Sequence, residues 1–419
     1  MTLAQTPPRG WNSWDSYGAS INEDEFLANA HVLATELLPF GWDTAVVDIQ
    51  WYEPHAKDSF YRPFVPLEMD EYSRLIPAGV RFPSASGTEG FAPLARKTHE
   101  LGLKFGIHIM RGIPRQAVHQ GTAIEGTDVT ARDIAARADI CTWNTDMYGI
   151  DASKPGAQEY YDSLFRLYAS WGVDFVKVDD ILLPYHQGEI TLIRRAIERC
   201  GRPMVLSLSC GPTEVEQAGH LIANAEMWRT TADFWDRWAD LHEAFDTCAR
   251  WAPHAGPGHW PDADMLPLGY IGLRSGDGGI RDRHTRFTRA EQRTLMSLWA
   301  IAGSPLMLGS DLTRLDDWTK SLLTNEAVLD VNARGRNARE VTRENNVVIW
   351  AANLDDNQVV GVFNLDKEDR TIALDPAIFD IKDLTSAEDL WNGKSALTNA
   401  AAAIQVDVPA HGGTLIRIS

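Results

Sequence analysis

Over residues 9–309, short apolar runs alternate with segments whose apolar residues recur every three or four positions. Few folds accept such a pattern. The runs Arg9–Trp14, Thr44–Asp48, Lys104–Ile109, Phe175–Asp179, Met204–Ser209, Ala225–Arg229, His259–Leu266 and Ser304–Gly309 read as buried strands. Between them, Asn22 is a helix N-cap ahead of Phe26, Ala30, Leu33 and Leu37. Leu94, Thr98 and Leu101 mark a helix ending at Gly102, and the stripe from Tyr160 to Trp171 closes at Gly172. Ile190, Ile193 and Ile197, then Phe234–Arg250, then Arg289–Ile301, predict further helices. Strands that alternate with helices imply a parallel sheet. Eight such units in roughly 330 residues predict an α/β fold, a (β/α)8 TIM barrel.

The pattern changes near residue 335. Asn346–Ala352, Val359–Asn364, Arg370–Leu374 and Gly413–Ile418 are short strands separated by turn residues, which predicts an antiparallel β-sandwich. The expected division is a barrel over 1–334 and a sandwich over 335–419. The Pro-rich, polar stretch 53–90 is too long for a simple turn and is expected to fold over a site. The run Asn399–Ala403 is expected to be a loop.

The C-terminal ends of barrel strands are where such a fold gathers its chemistry. Trp14, Asp48, His108, Lys177, Asp179, Arg229, Asp233 and Asp264 all fall at or just past predicted strand ends. Each has an ordinary structural explanation, such as a helix cap, a core histidine or an ion pair, but coincidence at so many ends is improbable. Lys177 lies inside an apolar run, so its burial requires a carboxylate partner. The chain contains no Gly-rich phosphate loop, no HExxH and no Cys/His metal spacing. Histidines are too few at the strand ends for a Ser-His-Asp triad. What remains is a pair of carboxylates with cations and aromatics. That set suits glycoside hydrolysis, which needs one carboxyl as nucleophile or base and one as proton donor. Asp179 and Asp233 are the candidates.

The motifs Gly10-Trp11-Asn12-Ser13-Trp14, Lys177-Val178-Asp179, Trp228-Arg229-Thr230-Thr231-Ala232-Asp233 and Gly256–Leu266 resemble glycoside hydrolase family 27, the α-galactosidase family. Leu390–Gly393 and Pro409–Gly413 resemble the family's C-terminal sandwich. The resemblance implies a retaining hydrolase that cleaves terminal α-linked galactose by double displacement. It makes Asp179 the nucleophile and Asp233 the acid/base, with carboxyl groups roughly 5–6 Å apart. Repulsion from Asp179 is expected to keep Asp233 protonated. Trp14, Asp48, Trp51, His108, Lys177, Arg229 and Asp264 become sugar-binding positions, and no metal or organic cofactor is implied.

Three departures bear on the sugar. The family's Asp-Asp-Cys-Trp reads Asp48-Ile49-Gln50-Trp51, its tyrosine after the third strand reads His108, and its Ser-Cys-Glu-Trp reads Ser209-Cys210-Gly211-Pro212. Ile49 offers no hydrogen-bond acceptor, which Gln50, His108 or the 53–90 stretch would have to replace. Gly211 is expected to open space near the 2-hydroxyl. α-Glucosides of isomalto type and β-L-arabinopyranosides are therefore alternative substrates, and a non-catalytic carbohydrate-binding barrel is a further alternative. Ile181 stands where the resemblance implies a disulfide partner for Cys210.

Lys plus Arg number 39 and Asp plus Glu 58, a net charge of −19. That field repels nucleic acid and anionic membranes and suits a neutral or cationic ligand. The expected partner is an oligosaccharide or other glycoside, and self-association into a homo-oligomer is compatible with the composition. Residues 1–8 carry no basic n-region or apolar h-region, and the cysteines Cys141, Cys200, Cys210 and Cys248 lack CxxC spacing. Both features predict reduced thiols in a cytoplasmic protein.

Overall fold

The computed structural model describes residues 3–87, 89–275, 281–379, 384–397 and 404–419. The run Asn399–Ala403 lies outside them. Eight strands form one parallel sheet: β1 (Arg9–Asn12), β2 (Thr44–Val47), β3 (Lys104–Met110), β4 (Phe175–Asp179), β5 (Val205–Leu208), β6 (Met227–Arg229), β7 (Trp260–Asp262) and β8 (Leu306–Leu308). Each pairs with its sequence neighbour from β1 to β7, and β8 pairs with β1. A parallel bridge between Leu266 and Leu308 completes the ring beyond β7. The expected TIM barrel is thus present.

Side chains alternate across each strand, which divides every strand between lumen and outer core. In β4, Val176 and Val178 join the cluster beneath the surrounding helices, whereas Phe175 packs with Val46, Met227, Trp260 and Met307. That second group comes from five strands and fills the lumen. Parity along β4 then aims Lys177 and Asp179 into the lumen above Phe175. The same reasoning sends Asp48 inward above Val46, and Arg229 inward above Met227.

The helices begin where the sequence provides caps. Asn22 accepts from the Glu25 amide at 3.0 Å while Glu25 returns the bond to the Asn22 amide at 3.2 Å, a capping box. The helix expected over Phe234–Arg250 instead spans Trp238–Trp251. Its first residues are held elsewhere: the Phe234 amide donates to Asp264 Oδ2 at 2.8 Å, and Asp236 pairs with Arg283 at 2.5 Å. The stretch predicted as a strand over His259–Leu266 is a continuous strand only over Trp260–Asp262, because Asp264 turns the chain with φ +87° before Leu266 makes its single bridge. Residues 113–150, unassigned from sequence, carry a small antiparallel sheet of Ile113–Pro114, Met147–Ile150 and Ala135–Ile140.

The helix Glu326–Arg334 is followed by an antiparallel sheet of Arg336–Glu344, Val347–Leu354, Asn357–Asn364, Gly413–Ile418, Ala387–Asp389 and Lys394–Ser395. A two-stranded ribbon of Arg370–Leu374 and Ile404–Val408 closes over one face, burying Ile349, Val360, Ile372, Val406 and Ile416. The other face, with Val348, Trp350, Phe363 and Leu415, joins the barrel's outer core. Arg289–Ala302 lies between, buried along almost its whole length.

Gly10 shows how closely β1 and β2 approach. A Cβ at this position would lie 2.2 Å from the Thr44 carbonyl oxygen. Gly10→Ala must push the two strands apart, and overpacking of this kind costs about 1–3 kcal/mol. Urea unfolding of the variant should show a lower midpoint with an unchanged slope.

Candidate active site

The lumen opens at the C-terminal ends of the strands into a cavity of about 380 Å³. Trp14, Asp48, Lys177, Asp179, Arg229, Asp233 and Asp264 line it, as do Asp15, Ile49, Tyr61, Trp143, Ser209, Cys210, Phe234, Trp235 and Met265. A pocket of this size suits a small ligand.

Burying charge here is tolerable because each charged group has a partner. Lys177 Nζ donates to Asp48 Oδ2 at 3.0 Å, and Asn12 Nδ2 donates to the same oxygen at 2.7 Å. Burial opposes ionisation of both groups, but Lys177, His108 and the Asn12 hydrogen bond together hold the Asp48 pKa below its usual range. The Lys177 pKa rises in turn through Asp48 and then Asp179. Arg229 forks between Asp264 Oδ1 at 2.7 Å and Asp233 Oδ1 at 2.9 Å. Asp264 also accepts the Phe234 and Met265 amides, so the arginine, the turn and the Asp233 loop are bound as one unit.

Asp179 sits at the end of β4. His108 Nε2 donates to its Oδ2 at 3.0 Å and the Asp180 amide to its Oδ1 at 2.8 Å. Burial would push its pKa up; the His108 hydrogen bond and charge, then Lys177, carry it far below the usual carboxylate range. Asp179 is therefore ionised at neutral pH. Asp233 is in a different setting, with its side chain 75% exposed at the cavity mouth. The two candidate carboxyls thus occupy opposite environments, one deep and one reachable from solvent.

Two positions expected to bind sugar do not reach the cavity wall. Trp51 is fully buried among Tyr52, Phe91 and Trp171, and its Nε1 donates to the His108 carbonyl at 2.7 Å. His108 is also fully buried and lies behind Asp179. Both support the wall without forming it. Gln50, whose Nε2 donates to Asp146 Oδ2 at 2.6 Å, is buried and does not line the cavity, so it does not replace the acceptor missing at Ile49. Gly211 opens no space, since a Cβ there would lie 2.6 Å from the Thr231 carbonyl oxygen.

The sequence reading did not single out Tyr61 and Trp143 as site residues. Tyr61, from the 53–90 stretch, stacks on Trp14 at 5.8 Å, and Trp143 tilts against Tyr61 at 5.5 Å. Both sit in insertions without periodicity; the expectation that 53–90 covers a site pointed toward Tyr61, and nothing in the sequence pointed toward Trp143. Cys210 is a free thiol in the wall, its pKa raised by burial and by Asp179. Away from the cavity, Asp139, His186 and Glu189 lie close enough together to share an ion. Arg111 already pairs with Asp139 at 2.8 Å and Glu189 at 3.1 Å, so a cation is present there.

Comparison with known proteins agrees with this geometry. The family model for alpha galactosidase A matches residues 149–334, and that for the alpha galactosidase C-terminal beta sandwich domain matches 344–418. A GH27 β-L-arabinopyranosidase from Geobacillus stearothermophilus is 57% identical, with a TM-score of 0.97 over 99% of this chain and 97% of its own. The chain belongs to glycoside hydrolase family 27. It is a glycosidase, and its partner is a glycoside or oligosaccharide. An α-galactosidase of Cyamopsis tetragonoloba is 28% identical over 418 residues, 98% of this chain and 85% of the relative. One from Cellvibrio japonicus is 27% identical over 100% of this chain and 93% of the relative. Among the described residues, no helix is long and apolar enough to cross a membrane.

His108 gives the site a testable pH signature. His108→Leu removes the donor that does most to hold the Asp179 pKa down. The Asp179 pKa should then climb toward the ordinary value of about 4. Activity that needs the carboxylate would be lost at a higher pH than in the wild type as the solution is acidified. The acid limb of kcat/KM against pH should move upward, and an unmoved limb would show that His108 does not set the ionisation of Asp179.

Proposed function

We propose that the enzyme is a retaining hydrolase of terminal galacto-configured pyranosides, with Asp179 as nucleophile and Asp233 as acid/base. The observation that carries this reading is the contrast between them. Asp179 is buried and kept ionised by His108 and Lys177, whereas Asp233 stands exposed at the mouth, where a leaving group would exit. In the first step Asp179 attacks the anomeric carbon, the glycosidic C–O bond breaks, and Asp233 gives its proton to the departing oxygen. In the second, Asp233 takes a proton from water, whose oxygen displaces Asp179 from the anomeric carbon. The oxocarbenium-like transition state gains from a pocket that sets Asp48, Asp179 and Asp264 around the reacting sugar, with Lys177 and Arg229 as the cations among its described lining residues. Trp14, backed by Tyr61, offers a ring face to the sugar.

Within this class, α-galactosides and β-L-arabinopyranosides are both substrates. The second sugar is the first without its C5 hydroxymethyl, so the two share anomeric geometry. Ile49 favours the pentoside: it lines the cavity beside Asp48 and can accept no hydrogen bond. The Geobacillus relative, a β-L-arabinopyranosidase also solved in complex with arabinose, supports the same preference. We further propose a catalytic unit over 1–334 and a sandwich over 335–419, supported by the helix end at Arg334 and the strand start at Arg336. Four free cysteines support a cytoplasmic location.

Asp179→Asn should abolish turnover. Asp233→Ala should still form the glycosyl-enzyme slowly from substrates with good leaving groups, and full activity in either variant would remove the assignment. The first-formed product, followed by NMR, should keep the substrate's anomeric configuration; the inverted anomer would exclude double displacement.

Matched aryl α-galactoside, α-glucoside and β-L-arabinopyranoside separate the sugars by kcat/KM. The galactoside should not exceed the arabinoside. Ile49→Asp restores a charged acceptor worth roughly 1.5–3 kcal/mol, so the galactoside-to-arabinoside ratio should rise about tenfold or more.

A further inference from the structure

One carboxyl in the wall has no part in the reaction described above. Asp15 follows Trp14 in the turn after β1, is 4% exposed, and lines the cavity. Among the described residues, nothing donates to its Oδ2. Its placement is fixed from behind: a Cβ on Gly309 would fall 2.1 Å from Oδ2, so only a glycine leaves room for the carboxyl. The turn is held by the Gly272 amide donating to the Asp15 carbonyl at 2.8 Å, and by Ser16 Oγ donating to the Gly309 carbonyl at 2.8 Å. The enclosed Oδ2 lies out of a ligand's reach, so the carboxyl, which lines the cavity, can meet a bound sugar only through Oδ1. Burial, then Asp264, Asp48 and Asp233, hold its proton on, with Lys177 working against them. The neutral acid offers one O–H donor and an acceptor, the complement of a sugar hydroxyl.

We propose that Asp15 is a specificity-determining residue whose carboxyl hydrogen-bonds a hydroxyl of the bound sugar, standing in for the acceptor that position 49 lacks. The proposal rests on the glycosidase reading above. Gln50 and His108, the other named groups that could have replaced that acceptor, are buried and do not line the cavity.

Two variants and a substrate series test it. Asp15→Ala should lower kcat/KM on the aryl arabinoside or galactoside about tenfold or more, the scale of one lost hydrogen bond in a closed site. Asp15→Asn keeps a donor and an acceptor in place and should stay within about threefold of wild type. Across monodeoxy substrates, the Asp15→Ala penalty should vanish for the one lacking the contacted hydroxyl. A penalty equal on every deoxy substrate would indicate a merely structural role and overturn the proposal, as would no penalty at all. If Asp15→Ala does not fold, the wild-type protein soaked with L-arabinose decides. A sugar oxygen within about 3.2 Å of the Asp15 carboxyl supports the contact, and none within about 3.5 Å overturns it. A wild type that binds sugar through Asp15 yet hydrolyses no glycoside would sink the catalytic reading alone.

Discussion

A lysine in the lumen of a β-barrel can stay charged only if a carboxylate meets it there, and Lys177 meets Asp48 from two strands away. That pair organises the cavity floor. It keeps Asp48 ionised and occupies one of its oxygens, and it adds positive potential beside Asp179. Arg229 repeats the arrangement on the opposite strands, tying Asp264 to the loop that carries Asp233. Neither cation is spare. Replacing either one would leave buried carboxylates uncompensated, a change that costs more than the lost pair itself is worth. The site is therefore a rigid lattice of ion pairs whose geometry is set before substrate arrives.

The barrel was legible because its strands are buried on both faces and its helices on one, so two different periods alternate along the chain. The C-terminal sheet was legible for a related reason, though its two-sided burial blurs the usual alternation. The strand-end residues followed from topology alone. Depth did not: Trp51 and His108 belong to the right strand ends, but Trp51 serves as a donor to a backbone carbonyl and His108 as a support for Asp179. Nothing in a one-dimensional pattern separates a side chain in the wall from one directly behind it. The late start of the helix at Trp238 has a different origin. Phe234 and Asp236 have helical partners available in sequence, yet Asp264 and Arg283 are the partners they take. Tyr61 and Trp143 come from irregular insertions, where tertiary contact decides everything and periodicity offers no guide.

Asp179 and Asp233 illustrate how one residue type acquires two characters. Both follow strands of the same barrel, and both touch a basic side chain or an imidazole. Asp179 ends its strand inside the wall, where the His108 bond and the Lys177 charge reach it without intervening solvent. Asp233 stands four residues beyond Arg229, on a loop open to water. Distance along the chain from the strand end thus translates into depth, and depth into chemical temperament.

The helix Arg289–Ala302 has consequences for how this protein can be recombined. Barrel residues pack against one side of it, and the C-terminal sheet against the other. Thr294 donates to the His411 carbonyl at 2.7 Å and Trp391 donates to Ser297 at 2.9 Å, while His411 stacks on Trp238 at 3.7 Å. A helix with two wet-averse sides cannot end a domain. The C-terminal sheet is therefore not a cassette that could be exchanged between homologues at the linker before Arg336. A viable chimera would have to cross over upstream of Arg289 and carry the helix with the sheet, along with the surface of the Trp238 helix that receives it.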